Sequence, residues 1–179
     1  MDMHYLGAVK KLFSDPLLYF INALLLFVPG PNIAIMGYLV SLTGRTGPDT
    51  SFGRFKNRFS EGFQLIAILL MYAVIPLILI NFYSILPAII TLILLIPFLV
   101  FSMAMLGNGL KLGEILELRN LLHAYSWTFV VGMLKAGIFS LVVLIVHILI
   151  PIAGWVGVLY GPMAVFLTLV GEVYQDHFA

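Results

Sequence analysis

The sequence predicts an all-α membrane protein, a polytopic helical bundle of three helical hairpins with amphipathic helices at the membrane interface. Hydrophobic residues make up 62% of the chain and charged residues only 9%. Charge is absent from residues 16–44, 62–110 and 136–171, which is more uninterrupted apolar sequence than a soluble domain buries in its core. The basic residues between these runs fall on one side of a membrane only if each run forms a hairpin.

The second and third runs each hold two membrane-spanning helices. A helix needs about 20 apolar residues to cross roughly 30 Å of hydrocarbon, so the run 62–110 predicts spans at 63–82 and 86–106. Asn81, Ser84 and Pro87 mark the turn between them, because proline cannot continue a hydrogen-bonded helix. The third run divides at Pro151 in the same way, into segments at 127–149 and 152–173.

The first run is harder to thread. Pro29, Gly30 and Pro31 stop any helix and leave pieces of about 13 residues, near 20 Å each, on either side. The run is therefore either one broken span or a short, re-entrant hairpin. A single span would place Lys10 and Lys11 opposite the basic first loop, whereas short basic loops stay cytoplasmic. The hairpin is preferred, and it predicts one transmembrane domain over 1–179, six apolar segments, and both termini on the cytoplasmic side of the cell membrane.

Short amphipathic stretches precede the three hairpins, with apolar residues at helical spacing. Such helices lie in the headgroup layer, with their apolar face towards the hydrocarbon and their basic residues towards the water. We expect four cations of these stretches and loops to face lipid headgroups, namely Arg54, Lys56, Arg58 and Arg119. The apolar positions are Tyr5, Leu6, Val9, Leu12 and Phe13, then Phe52, Phe55 and Phe59, and then Leu112, Ile115, Leu116 and Leu122.

Three stretches of the chain resemble a family of small polytopic membrane proteins, mainly archaeal, that is defined only as a domain of unknown function. They are the Pro29–Asn32 break with the Ile33-Ala34-Ile35-Met36-Gly37-Tyr38 that follows it, the basic link 109–125, and the closing Leu159–Gln175 stretch with its Gly171-Glu172-Val173-Tyr174. The resemblance implies a prokaryotic cell membrane. It supplies no activity, substrate or catalytic residue.

Two ionisable residues stand inside the apolar segments as candidate functional groups. Lys135 lies about 12 Å past Trp127 along the helix, and a charge at that depth raises a functional hypothesis by default. The structural alternative, which we favour, is that its stem snorkels to the headgroups or that it pairs with an oxygen such as that of Ser140 or Thr168. His147 lies near the far tip of the third hairpin. No histidine or carboxylate lies one helical turn from it, so it is expected to be a lone interfacial imidazole rather than a metal ligand.

Polar amides and glycines of the apolar segments favour structural roles. Asn22 is expected to hydrogen-bond across helices, and Asn32 to cap the helix that starts after Pro31. Gly154, Gly157 and Gly161 permit close helix packing, either within the chain or against a partner.

The sequence lacks the features of most catalytic classes. It has no cysteine, no zinc-protease or nucleophile-elbow motif, and no phosphate-binding glycine loop, and no cofactor or metal site is predicted. A net charge of +1 without a basic stripe argues against nucleic acid.

Three functions remain. The preferred one is a non-catalytic scaffold or accessory subunit that contacts membrane lipids and forms a homo-oligomer or part of a larger membrane complex. The first alternative is a transporter or channel for a neutral or lipid-like solute, built around the Pro29–Pro31 break. The second is a lipid-modifying enzyme at the interface that uses Glu61 or Glu172.

Overall fold

The computed structural model describes residues 4–44, 55–150 and 153–179, and these residues form ten α-helices and no strand. Three helical segments are long and apolar enough to cross a membrane, namely Arg58–Phe82, Ile85–Gly107 and Trp127–Leu149. The predicted all-α class is therefore confirmed. The helices are α1 Tyr5–Leu12, α2 Pro16–Leu25, α3 Pro31–Ser41, α4 Phe55–Phe82, α5 Ile85–Gly107, α6 Leu112–Ile115, α7 Leu118–His123, α8 Trp127–Leu149, α9 Ala153–Gly157 and α10 Tyr160–His177.

Two helix pairs follow the second and third apolar runs. Helices α4 and α5 pack together across the turn at Tyr83 and Ser84, and α8 packs against α10 across the short helix α9. Pro87 lies in the first helical turn of α5 rather than in the connection between α4 and α5. A proline is tolerated there because the amide groups at the start of a helix have no hydrogen-bond partner within the helix. Pro76 and Pro97 are accommodated inside α4 and α5.

Helix α10 is the central helix of the fold. It contacts α1, α2, α3, α5 and α8, and 12 of its residues are buried. Its small residues allow this, since a Cβ on Gly171 would lie 2.5 Å from the Cα of Thr43. Its C-terminal end packs into an aromatic cluster of Phe101, Phe129, Tyr174 and Phe178.

The two helices of the first run pack mainly against different neighbours. Helix α2 contacts α9 and α10, whereas α3 packs along α4. The α3–α4 approach is close enough that a Cβ on Gly37 would lie 1.9 Å from the Arg58 carbonyl oxygen, and one on Gly62 would lie 2.0 Å from that of Ile33. Gly30 makes the break between α2 and α3 with a φ of 91°, in the left-handed region that favours glycine.

The amphipathic helices α1, α6 and α7 contact the helix bundle through part of their apolar faces. Other predicted apolar positions are exposed, namely Leu6, Phe13, Leu116 and Leu122, so the placement at the membrane interface stays a prediction. Ala8 of α1 is buried, and α1 packs on α10. Ile115 of α6 is fully buried, and both α6 and α7 contact α5. Because the Tyr125 hydroxyl donates to the Leu94 carbonyl, the link after α5 runs back alongside that helix. Of the predicted second stretch, Phe52 lies outside the described residues, whereas Phe55 and Phe59 lie at the start of α4.

Candidate functional site

A buried hydrogen bond joins α2 to α8. The Tyr19 hydroxyl lies 2.7 Å from Nε2 of His147, and the two side chains are 3% and 4% exposed. Nδ1 of His147 lies 2.8 Å from the carbonyl oxygen of Val143, one turn earlier in α8. The expectation of a lone interfacial imidazole at His147 was wrong, because α1 and α2 cover the ring and Tyr19 bonds to it.

The partners of His147 decide where its hydrogen lies. A carbonyl oxygen can only accept, so Nδ1 is the nitrogen that carries a hydrogen. In the neutral ring Nε2 then accepts the hydrogen of the Tyr19 hydroxyl. Both nitrogens and the hydroxyl hydrogen are satisfied in this arrangement, which makes the pair a stable interhelical link.

A second polar group of the interior extends from α2 towards the charged end of α4. The Asn22 amide donates to the Tyr160 hydroxyl at 3.2 Å, which is the interhelical bond expected for Asn22. Tyr38 and Tyr160 line the same small cavity, and the Arg58 guanidinium lies 4.7 Å from the Tyr38 ring centre. Arg58 was expected to face lipid headgroups, yet it stacks on this tyrosine.

A small cavity of about 20 Å³ lies beside this group, between α1, α3 and α10. Lys11, Tyr38, Tyr160 and Thr168 are among its lining residues. Burial lowers the pKa of Lys11, and the nearby Glu172 carboxylate opposes that shift. The same carboxylate accepts a hydrogen bond from the His4 backbone amide at 3.1 Å, so the beginning of α1 lies beside the end of α10.

The glycines of α9 and α10 make room for the Tyr19–His147 pair. A Cβ on Gly157 would lie 1.6 Å from the Tyr19 hydroxyl oxygen, and one on Gly161 would lie 2.5 Å from Nε2 of His147. A Cβ on Gly154 would lie 2.1 Å from the His147 carbonyl oxygen. The sequence left open whether these glycines pack inside the chain or against a partner, and the structure places them inside.

A groove of about 350 Å³ opens beside the pair, between α1, α2, α8 and α9. The Phe13 ring centre lies 5.1 Å from that of Tyr19 and 6.2 Å from that of His147, which puts the pair at the floor of the groove. Among the described residues that line it, no polar atom is exposed to the groove. The apolar lining of the groove therefore suits a hydrocarbon ligand. Its walls are Val9, Phe13, Phe20, Phe139, Val142, Val143, Val146, Ile150 and Gly154.

The other predicted residues lie apart from this site. Lys135 is exposed on α8 and has no hydrogen bond or ion pair with a described residue. The oxygens expected to pair with it are engaged elsewhere, since Ser140 donates to the Pro162 carbonyl and Thr168 to that of Ala164. The cap expected from Asn32 was wrong, because the N-cap position of α3 is Gly30, which has no side chain to cap with, and Asn32 lies inside the first turn of the helix. Arg119 is exposed on α7. Arg54 lies outside the described residues, and the side chain of Lys56 is not among those that the structure describes.

The sequence reading missed the three tyrosines of the site. Tyr19, Tyr38 and Tyr160 each lie inside an uncharged run, where a hydroxyl requires a partner. That requirement was the available signal. Among the described residues, no group of three or more acidic or histidine side chains could hold a metal ion.

Comparison with family models, curated proteins and solved structures finds no match. The resemblance to small archaeal membrane proteins therefore stays a prediction. The groove and the tyrosine–histidine network are the features that indicate a function.

Proposed function

We propose that this chain is an integral membrane protein that binds the hydrocarbon part of a lipid-like solute in the groove between α1, α2, α8 and α9. The observation that carries the proposal is the groove itself, about 350 Å³ in volume and lined without an exposed polar atom. This volume falls within the range of small-molecule sites, which are mostly apolar. Of the functions that the sequence leaves open, this is the lipid-like solute alternative.

The hydrogen-bond network supports a fixed rather than a collapsible groove. The Tyr19–His147 and Asn22–Tyr160 bonds tie α2 to α8 and α10 from below the groove. Buried bonds of this kind cost free energy to break when no water can replace them. The groove therefore keeps its shape when empty, which lowers the cost of ordering it around a ligand.

The test uses a long-chain alcohol that carries a diazirine near the middle of its chain. Wild-type protein in lipid nanodiscs is photolysed with the probe, and the labelled peptides are identified by mass spectrometry. Val146→Trp fills the groove from a position that is half-exposed, so the core is not disturbed. Ile145→Trp is the matched control, since Ile145 is exposed on the same helix outside the groove.

We expect labelling to fall on α1, α2 and α8 and to drop at least fivefold in Val146→Trp but not in Ile145→Trp. Both variants should keep the thermal stability of the wild type. Equal labelling of the two variants, or labelling spread over all exposed helices, would refute the proposal.

Assembly with itself or with a partner subunit is a second candidate, and it rests on helices α4 and α5. Only 17% of the most apolar window of α4 is buried, and a further apolar groove of about 470 Å³ lies between α4 and α5. This surface offers area for another helix as well as for lipid. The mass of the particle in detergent distinguishes an oligomer from a single chain.

The proposed orientation places both termini and both charged loops in the cytoplasm, with the protein in the cell membrane. The rule that short basic loops stay cytoplasmic supports it. The hydrogen bond between His4 and Glu172 supports it as well, because it brings the N-terminal helix to the C-terminal end of α10.

A further inference from the structure

Lys135 continues one wall of the apolar groove. Lys135, Phe139, Val142 and Val146 follow one another at intervals of three or four residues, so they lie on one face of α8. The last three line the groove, and Lys135 lies one turn before the first of them. Helical side chains lean towards the N-terminus, which carries the ammonium past the end of the groove rather than across it.

Helix α1 forms the facing wall over the same length. The Tyr5 ring centre lies 4.8 Å from that of Phe139, and the Phe13 ring centre lies 6.2 Å from that of His147. The two helices therefore run side by side in the same direction. From Phe139 to Ile150 the groove extends about 16 Å along α8, an elongated shape that suits a chain.

Charged residues lie near both ends of the groove. Lys135 is exposed and makes no ion pair with a described residue. At the other end the nearest acid along the chain is Asp15, two residues after the groove-lining Phe13, and its side chain caps α2. Glu172 is engaged by the His4 amide and lies near Lys11. Lys10 and Lys11 precede Phe13 on the facing helix, so cations stand near both ends. Lys135 is the cation that shares the face of α8 with the groove-lining residues, and a carboxylate there would neutralise it.

We propose that the groove binds a long-chain carboxylate, with the hydrocarbon along α8 and the carboxylate on the Lys135 ammonium. One narrow groove suits one chain, and one cation matches one negative charge. The cost of holding Lys135 below the interface falls when a carboxylate neutralises it. This inference rests on the proposed function, because it requires the groove to hold a hydrocarbon chain.

The experiment compares two diazirine probes of equal chain length, a fatty acid and the corresponding fatty alcohol, at pH 8 in nanodiscs of neutral lipid. Affinity is measured from the concentration dependence of labelling. The variants are Lys135→Gln, Lys135→Arg and Val146→Trp. Lys10→Gln is the control for the other cation beside the groove, since Lys10 is exposed on α1 and directly follows the groove-lining Val9.

We expect Lys135→Gln to weaken fatty-acid binding about tenfold to a hundredfold, the range for a charged hydrogen bond, and to leave alcohol binding unchanged. Lys135→Arg should restore acid binding, and Lys10→Gln should leave both probes unaffected. Val146→Trp should weaken both.

Two outcomes separate this inference from the proposed function. If Val146→Trp weakens both probes but Lys135→Gln weakens neither selectively, the groove binds hydrocarbon and the carboxylate assignment is overturned. If Val146→Trp weakens neither, the proposed function fails and the inference fails with it. Displacement of the acid probe by a two-chain anionic phospholipid, but not by unlabelled fatty acid, would also overturn the single-chain assignment.

Discussion

Replacing Tyr19 by phenylalanine isolates the hydrogen bond that joins α2 to α8. The substitution removes one hydroxyl and keeps the ring, whose contacts with Phe13 and Tyr160 place its centre 5.1 and 5.4 Å from theirs. Nε2 of His147 then remains buried without a donor. The Asn22–Tyr160 bond is untouched, so the effect reports on one bond.

Two opposing estimates bound the loss in free energy of unfolding that Tyr19→Phe should cause. Leaving a buried acceptor unsatisfied costs about 1–3 kcal/mol, because its desolvation is no longer compensated. Interhelical hydrogen bonds in a membrane average only about 0.6 kcal/mol, because the unfolded chain also finds partners there. The first estimate carries more weight here, since Nε2 is enclosed by Tyr19 and the glycine face of α10 and bonds to no other donor among the described residues. We therefore expect a loss of about 1–2 kcal/mol.

The assay is thermal unfolding in detergent, with Tyr83→Phe as the control. Tyr83 is 78% exposed at the α4–α5 turn. At about 3 °C per kcal/mol, Tyr19→Phe should lower Tm by about 3–6 °C and Tyr83→Phe should not change it. His147→Leu alone should also destabilise, while the double variant should lose less than the sum of the two. A Tm for Tyr19→Phe equal to that of Tyr83→Phe, or strict additivity in the double variant, would refute the reasoning.

Three further predictions concern packing, charge and threading. Gly157→Ala should destabilise by about 1–3 kcal/mol in thermal unfolding, because its Cβ would lie 1.6 Å from the Tyr19 oxygen, and a wild-type Tm would contradict this placement. Lys135→Leu should leave folding and insertion intact, since the side chain is exposed, and a lower Tm would show that the lysine has a structural partner. The chain has no cysteine, so single cysteines placed at Thr46 and at the N-terminus report orientation directly. Both should resist external thiol reagents in intact cells, and labelling of only one would show that the first run crosses once.

The predictable part of the fold was the part governed by composition. Long uncharged runs and prolines determined the all-helical class and placed helix ends within a few residues, as at Phe82 and Leu149. Such features act locally and need no knowledge of neighbours. The caps were less predictable. Asp15 rather than the preceding Ser14 caps α2, because it alone has the geometry to accept from the Leu18 amide.

The candidate site was not predictable, because it depends on which helices meet. Tyr19 and His147 are 128 positions apart, and no spacing rule connects them. Asn22 was identified as polar in an apolar helix, but no spacing in the sequence indicated Tyr160 as its partner. The apolar face of α1 is a further case, since Tyr5 and Val9 fit an interfacial helix as well as they fit a helix beside a protein groove. Amphipathic spacing predicts a buried face without indicating what buries it.

The groove lies where it does because large side chains fill the space beneath it. Tyr19 and His147 fill the space between α2, α8 and α10, and they fit only because Gly157 and Gly161 lack side chains. A smaller apolar pair would let α2 approach α8 more closely and narrow the groove above. The polar pair thus acts as a spacer, and its hydrogen bond offsets the cost of burying two polar side chains. The double variant Tyr19→Phe/His147→Leu should therefore lose less stability than the two single variants together and still bind the alcohol probe less well than the wild type. Such a separation of stability from binding is the result that a spacer predicts and that a purely stabilising bond does not.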